Sequence, residues 1–314
     1  MLRIDRIDEQ VKVQWDRPSP FSLLPYAAVV YHGAPAELRD IPIGTHLHAL
    51  FHEGPPVPQY PAAYVGDLYD DLRRSKYLAY SRVAKLEDDF SYLMRQGRSW
   101  RVDTVDEEAG KLTVTGLAQD GKADDSPTIF FIGPDTRVWK GRGLATLSDL
   151  KPGLHVLANL THCTLKGPGR CTDLWLDDES RALTATTQNA IHDHYQYTHG
   201  LAGWVDAVDN KQGTVSITLF AGVDPKLLDT FLAAQSFSAN PGKENLRTWD
   251  QVNVFKTGPG AATKATPVSP YDSGVRIQFR PSELLEGFRP RRIVRLWPEG
   301  WKIDDLPLEE RMRL

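Results

Sequence analysis

The stretch Arg101-Val-Asp-Thr-Val-Asp106-Glu-Glu-Ala-Gly110-Lys111-Leu-Thr-Val-Thr115 decides how the rest of the chain is read. Apolar and polar residues alternate on both sides of a polar, glycine-ended turn, the pattern of two antiparallel strands joined as a hairpin. The phrase occurs twice more. Arg3-Ile-Asp-Arg-Ile-Asp8 leads into Val11-Lys-Val-Gln-Trp15, and Trp204-Val-Asp-Ala-Val-Asp209 leads into Thr214-Val-Ser-Ile-Thr-Leu219. The copies lie roughly 100 residues apart, the span of one small domain.

A second phrase follows in the same order. Ala36-Glu-Leu-Arg-Asp-Ile-Pro-Ile-Gly-Thr-His-Leu-His-Ala-Leu50 aligns without a gap on Ala145-Thr-Leu-Ser-Asp-Leu-Lys-Pro-Gly-Leu-His-Val-Leu-Ala-Asn159. Leu284 to Val294 is a looser third copy, in which Arg292 stands where His46 and His155 align. One helical turn, a Pro/Gly turn and a strand suit the corner of a small barrel. Each copy then passes into an acidic start and helical spacing: Asp70 to Leu93 with a stop at Gly97, Asp177 to about His199, and Asp304-Asp305 ahead of Pro307.

The expected fold is therefore mainly β with helical linkers: three tandem small β-barrel-like repeats, each followed by a helix. The first barrel spans 1–66 and its linking helix 67–98. The second barrel spans 99–172 and its helix 173–200. The third spans 201–302 with a helical insertion near 224–248, and a terminal helix starts at 303–314.

Val102 to Val114, Ile129-Phe-Phe-Ile-Gly-Pro-Asp-Thr-Arg-Val138 and Leu147-Ser-Asp-Leu-Lys-Pro-Gly153 together resemble a bacterial small β-barrel tandem-repeat family of unknown function. That family is found in exported proteins and lipoproteins and is similar in outline to OB-type barrels. The resemblance covers the middle repeat well, the first in part and the third poorly. It implies a fold that permits ligand binding, and no activity.

Composition narrows the function. A formal net charge of −4 argues against nucleic acid bound over the whole surface. No apolar run approaches the roughly 20 residues of a membrane helix. The charged start Met1-Leu-Arg-Ile-Asp-Arg has no secretory apolar region, so the chain as given reads as cytoplasmic, and as exported if a leader has been removed. Cys163 and Cys171 flank the turn Gly167-Pro-Gly169, and the spacing leaves a disulfide and two free thiols both open. Nucleophile elbow, phosphate-binding glycine loop and zinc-protease motifs are absent from the sequence, so an enzyme is not expected.

Four groups of residues carry side chains capable of chemistry. His46 and His48 share one face of a strand, yet no carboxylate is placed by sequence to complete a metal set. His192, His194 and His199 fall near a helix C-terminus, where helical spacing lets Tyr195 meet His199 and the dipole favours imidazole. In the pairs Asp5/Asp8, Asp103/Asp106 and Asp206/Asp209 the second member opens a turn, which explains it better than acid–base work. The sharpest group holds five arginines and four aromatics between Phe279 and Trp301. Arg280, Arg289, Arg291, Arg292, Arg295, Trp297 and Trp301 are the expected ligand-binding set, since guanidinium forks hold oxyanions and aromatics give stacking platforms. Arginines paired with the acids Asp177, Asp178 and Glu179 are the structural alternative. The expected function is a non-catalytic binding or scaffold protein, with no cofactor, whose partner is a protein or an anionic polymer (nucleic acid or acidic glycan). The alternative is a metal-dependent hydrolase or metal-binding protein using histidines of the first two repeats.

Overall fold

The computed structural model describes residues 22–52, 82–161, 169–241, 255–284 and 287–301. The chain divides into two compact units, 1–189 and 190–314, with the long helix Asp178–His199 running across the boundary.

Unit one opens with β1 (Ser22–Tyr31), β2 (Ala34–Pro35), β3 (Leu47–His52) and β4 (Arg82–Asp88), followed by helix α1 (Asp89–Gln96). The sheet order is β2-β1-β4-β3, with β1 parallel to β4. Next come β5 (Ser99–Asp106), β6 (Lys111–Leu117), β7 (Thr128–Phe131), β8 (Arg137–Lys140), β9 (Gly143–Ala145), β10 (His155–Leu160), β11 (Cys171–Trp175) and helix α2 (Asp178–His199). These strands form a seven-stranded sheet in the order β7-β6-β5-β10-β11-β8-β9. The alternation that announced the hairpin is what builds its core: Val102, Leu112 and Val114 turn inward with Phe130, Val138, Val156 and Leu174.

Unit two holds β12 (Leu201–Asp209), β13 (Thr214–Phe220), helix α3 (Pro225–Ala233), β14 (Ser236–Asn240), β15 (Lys256–Lys264), β16 (Asp272–Phe279) and β17 (Ile293–Pro298). Its strands close into a barrel in the order β12-β13-β16-β15-β14-β17. Val205, Ile217, Phe237, Ile277, Phe279 and Leu296 fill the interior. Helix α3 is the expected insertion, capped by Asp224, whose side chain accepts from Lys226 N.

The hairpins at β5–β6 and β12–β13 are built alike. Each carries a bulge one residue after Val102 or Val205. At that point Asp103 accepts from Thr115 Oγ1 at 2.6 Å, and Asp206 from Thr218 Oγ1 at 2.7 Å. Asp106 and Asp209 accept backbone N–H groups in the turns, as the sequence expects. The hairpin Arg3 to Trp15 lies outside the described residues.

The second phrase also recurs as structure. Leu38–Asp40 and Leu147–Asp149 are both single 3-10 turns closed by a reciprocal cap, Glu37 with Asp40 and Thr146 with Asp149. Around them β2-β1-β4-β3 repeats the order β9-β8-β11-β10, with β1 parallel to β4 as β8 is to β11. His32 and Gly141 occupy the same bend with φ of 55° and 57°. The N–H of each bend is taken by a helix-capping aspartate, His32 N by Asp88 at 3.1 Å and Gly141 N by Asp177 at 2.8 Å.

One element differs from expectation. The segment ahead of Asp89 is not the middle of a helix from 70 to 93: Arg82–Asp88 is strand β4, and 53–81 lie outside the described residues. β4 is the second strand in from the β3 edge, with β1 beyond it, and Val83, Ala84, Leu86 and Glu87 are all buried. A strand covered on both faces loses its alternation, so Val83, Leu86, Phe90 and Leu93 fall into helical spacing by accident. The stop is where it was expected: Gly97 is left-handed at φ 61°, its N–H on Met94 O. The third helix stub, 303–314, lies outside the described residues. Among the described residues no helix is long and apolar enough to cross a membrane.

Asp88 is fully buried and receives Ser91 N, His32 N and Asn159 Nδ2 at 2.8–3.1 Å. Asp88→Ala strands three donors, so a loss of about 3 kcal/mol or more is expected. Asp177→Ala, at a more open cap, should cost nearer 1 kcal/mol. Urea denaturation midpoints of the two variants check the ranking.

Candidate functional site

Antiparallel pairing of β3 with β4 sets Leu47 opposite Asp88 and His48 opposite Glu87. One step beyond, His46 meets Asp89, the first residue of α1. Because strand side chains alternate, His48 returns to the same face two residues on. Register alone thus brings two imidazoles and a carboxylate together.

His46 Nδ1 lies 2.7 Å and His48 Nε2 2.9 Å from the same oxygen, Asp89 Oδ1. An ionised carboxylate only accepts, so each nitrogen donates its N–H to that oxygen. The other oxygen, Asp89 Oδ2, accepts from Leu160 N at 3.1 Å, and His46 N donates to Leu160 O at 2.9 Å. His48 is further fixed by stacking on Tyr92, ring centres 3.8 Å apart and nearly parallel. The side chains of His46 and His48 are 28% and 32% exposed, that of Asp89 only 10%. The carboxylate is therefore the inner anchor and the imidazoles form a rim open to solvent.

Burial by itself would raise the Asp89 pKa, but hydrogen bonds and charge from His46 and His48 outweigh it and hold the group below the usual carboxylate range. Neighbouring Glu87 is buried and engaged by Lys85 and by a two-point contact from Arg95, so it is tied up beside the cluster. The ligand atoms of His46, His48 and Asp89 lie within 4.8 Å of one another, the one such group among the described residues. Two imidazole nitrogens and one carboxylate oxygen on one side are the donor set of open transition-metal sites.

The arginine–aromatic strip is split by the fold. Trp297 is 1% exposed on the outer face of β17, buried under the C-terminal end of α2 with its Nε1 on Thr198 O at 3.3 Å and its ring against Phe255. Trp301 packs on Phe231 and Tyr197. Arg295 donates to Gly200 O and Tyr195 OH and lies over the Tyr195 ring, closing the C-terminal end of α2. Arg280, Arg289, Arg291 and Arg292 are exposed. The acids named as their structural partners are engaged elsewhere: Asp177 by Gly141 N and Ser180 N, Asp178 by Arg181, Glu179 by Arg142.

Of the other histidines, His155 is exposed and His199 stacks on Tyr195 at 3.9 Å as helical spacing expects. Cys171 is a buried free thiol whose burial pushes its pKa up, and Cys163 and His162 lie outside the described residues. The residue that sequence reading missed is Asp89. Its only signal was the acidic run Glu87-Asp-Asp89, which was absorbed into a helix assigned too early. No protein family, curated protein or solved structure matches this chain.

Because Trp297 is fully buried between β17 and the end of α2, Trp297→Ala should lower stability by about 3–5 kcal/mol. The size of that loss, read from chemical denaturation, marks the tryptophan as a buried packing group and not as a ligand platform.

Proposed function

We propose that this protein is a non-catalytic binding protein whose first unit holds a divalent transition-metal ion. The observation that carries the reading is one buried carboxylate oxygen, Asp89 Oδ1, shared by His46 Nδ1 and His48 Nε2 on an open rim. Those nitrogens need only exchange their protons for the ion, which is how imidazole sites load. Nitrogen-rich donors favour zinc, nickel or copper over magnesium and calcium, which prefer all-oxygen sets. The second Asp89 oxygen stays on Leu160 N, an outer contact of the kind that orients a ligating carboxylate.

The strand order supports a binding fold. Taking β5, β6, β7, β10 and β11 as first to fifth, neighbours run first, second, third, fifth, fourth and back to the first. The third and fifth are joined by the parallel bridge Phe131–Arg170. That is the order of an OB-type barrel, which serves many unrelated ligands. A hydrolytic reading shares the same centre, since an ion with three protein ligands keeps a position for water. Metal binding comes first because it needs only groups already in place.

Calorimetric titration of chelator-treated protein tests the reading. One Zn²⁺ per chain is expected, with Mg²⁺ failing to compete. Loss of even an outer-shell partner commonly costs 10–100-fold, so removing a ligand by Asp89→Asn or His48→Ala should weaken zinc by at least about tenfold. Affinity should also fall on acidification, as protons compete for the imidazoles. No saturable uptake, or uptake unchanged in both variants, would overturn the proposal.

A further inference from the structure

The three strands that follow a Pro/Gly or arginine-bearing turn differ at one position. Gly44 precedes β3 and Gly153 precedes β10, with φ of 94° and 89°. Gly153 N donates to Val102 O, and Val102 N to Leu154 O, both at 2.8 Å. Ahead of β17 the same two hydrogen bonds are made by arginines: Arg291 N donates to Val205 O at 2.7 Å, and Val205 N to Arg292 O at 2.8 Å. Val102 and Val205 are matching residues, each just before the bulge of its hairpin. Arg291 therefore stands in the glycine position of the turn, and its φ is 70°. Arg292 matches Leu154 and Ile293 matches His155, one residue off the alignment that sequence alone suggests.

A left-handed backbone is strained for arginine and free of strain for glycine. Nothing in the backbone pattern asks for a side chain there, since glycine makes both hydrogen bonds in the middle sheet. What Arg291 adds is a guanidinium. Arg289, Arg291 and Arg292 are all exposed on this one turn, and Ile293 beside them is exposed too. Among the described residues Arg291 and Arg292 make no side-chain ion pair or hydrogen bond. Strain kept at a position that gains no internal contact is a mark of binding.

The chemistry of the partner follows from what surrounds the turn. Guanidinium forks bind oxyanions in pairs. The stacking platforms that a single-stranded nucleic acid would use are withdrawn, because Trp297 is buried under the end of α2 and Trp301 is packed on Phe231. The net charge of the chain is −4, so favourable contact with a polyanion is confined to this local patch. We propose that the turn Arg289–Arg292 on the third barrel docks an acidic glycan, read through its sulfate or carboxylate groups. The proposal stands independently of the metal site, which lies in the other unit.

The test uses the full chain and a fluorescently labelled heparin oligosaccharide, with anisotropy read at low and moderate salt. Wild type should bind with affinity that falls steeply with salt. Arg291→Gly should weaken binding by at least tenfold while its thermal midpoint stays level or rises, because glycine relieves the strained turn. Arg292→Gln should weaken binding similarly, and His48→Ala should leave it unchanged. Absence of wild-type binding overturns the proposal, as does an Arg291→Gly variant that binds normally or is less stable. Single-stranded DNA bound as tightly as heparin and lost in the same variants overturns the glycan assignment in favour of nucleic acid.

Discussion

Two adjacent carboxylates at the junction of β4 and α1 carry the first half of the molecule. Asp88 and Asp89 are 0% and 7% exposed, and a buried charge survives only when its lone pairs are matched by donors. Asp88 collects the helix N–H of Ser91, the bend N–H of His32 and the side chain of Asn159. Asp89 collects Leu160 N and two imidazoles. Asn159 in turn takes Phe90 N, so β10 is bonded to both ends of the junction. The start of α1, the bend after β1, the head of β3 and the end of β10 are therefore fixed by one short acidic step in the chain. The N-terminal end of a helix favours negative charge, which suits an acidic step at this place in the chain.

The middle copy shows what this framework does without the cluster. Asp177 caps α2 as Asp88 caps α1, but the next residue, Asp178, is exposed and paired with Arg181. Arg181 also donates to His155 O, at the strand position that matches His46. Where the first copy has His48, the aligned residue is the buried Leu157. One scaffold thus supports either a solvated ion pair or a histidine–carboxylate rim. Histidine and aspartate stand at matching positions in both copies, and the side chains that differ are His48 against Leu157 and Tyr92 against Arg181. The donor set is an addition to the fold and not a requirement of it.

What could be read from the sequence was local. Hairpins, 3-10 turns and the helix after Asp177 depend on contacts within a few residues, and each is present where its pattern lies within the described chain. Asp89 escaped because its partners are some 40 residues away in sequence and meet it only through strand register. Trp297 and Arg295 look like ligand groups in the sequence because aromatic and basic residues in one strand are alike whether they face a helix end or solvent. The third turn was aligned one residue out because its glycine is an arginine, and only the paired hydrogen bonds to Val205 fix its frame.

The second unit shows how an insertion changes a barrel without changing its hairpin. The order β16-β13-β12-β17 follows the same plan as β7-β6-β5-β10. In the middle sheet the next neighbour of β10 is β11, which follows it in the chain. In the second unit the neighbour of β17 is β14, supplied from the insertion between β13 and β16. β15 then bridges β14 to β16, and every pairing becomes antiparallel. Closure no longer needs a strand after β17, so the described barrel is complete at Pro298 with no free edge. A barrel that closes on itself can carry a strained turn at its rim, because the ladder on either side of Arg291 holds the backbone whatever side chain it bears.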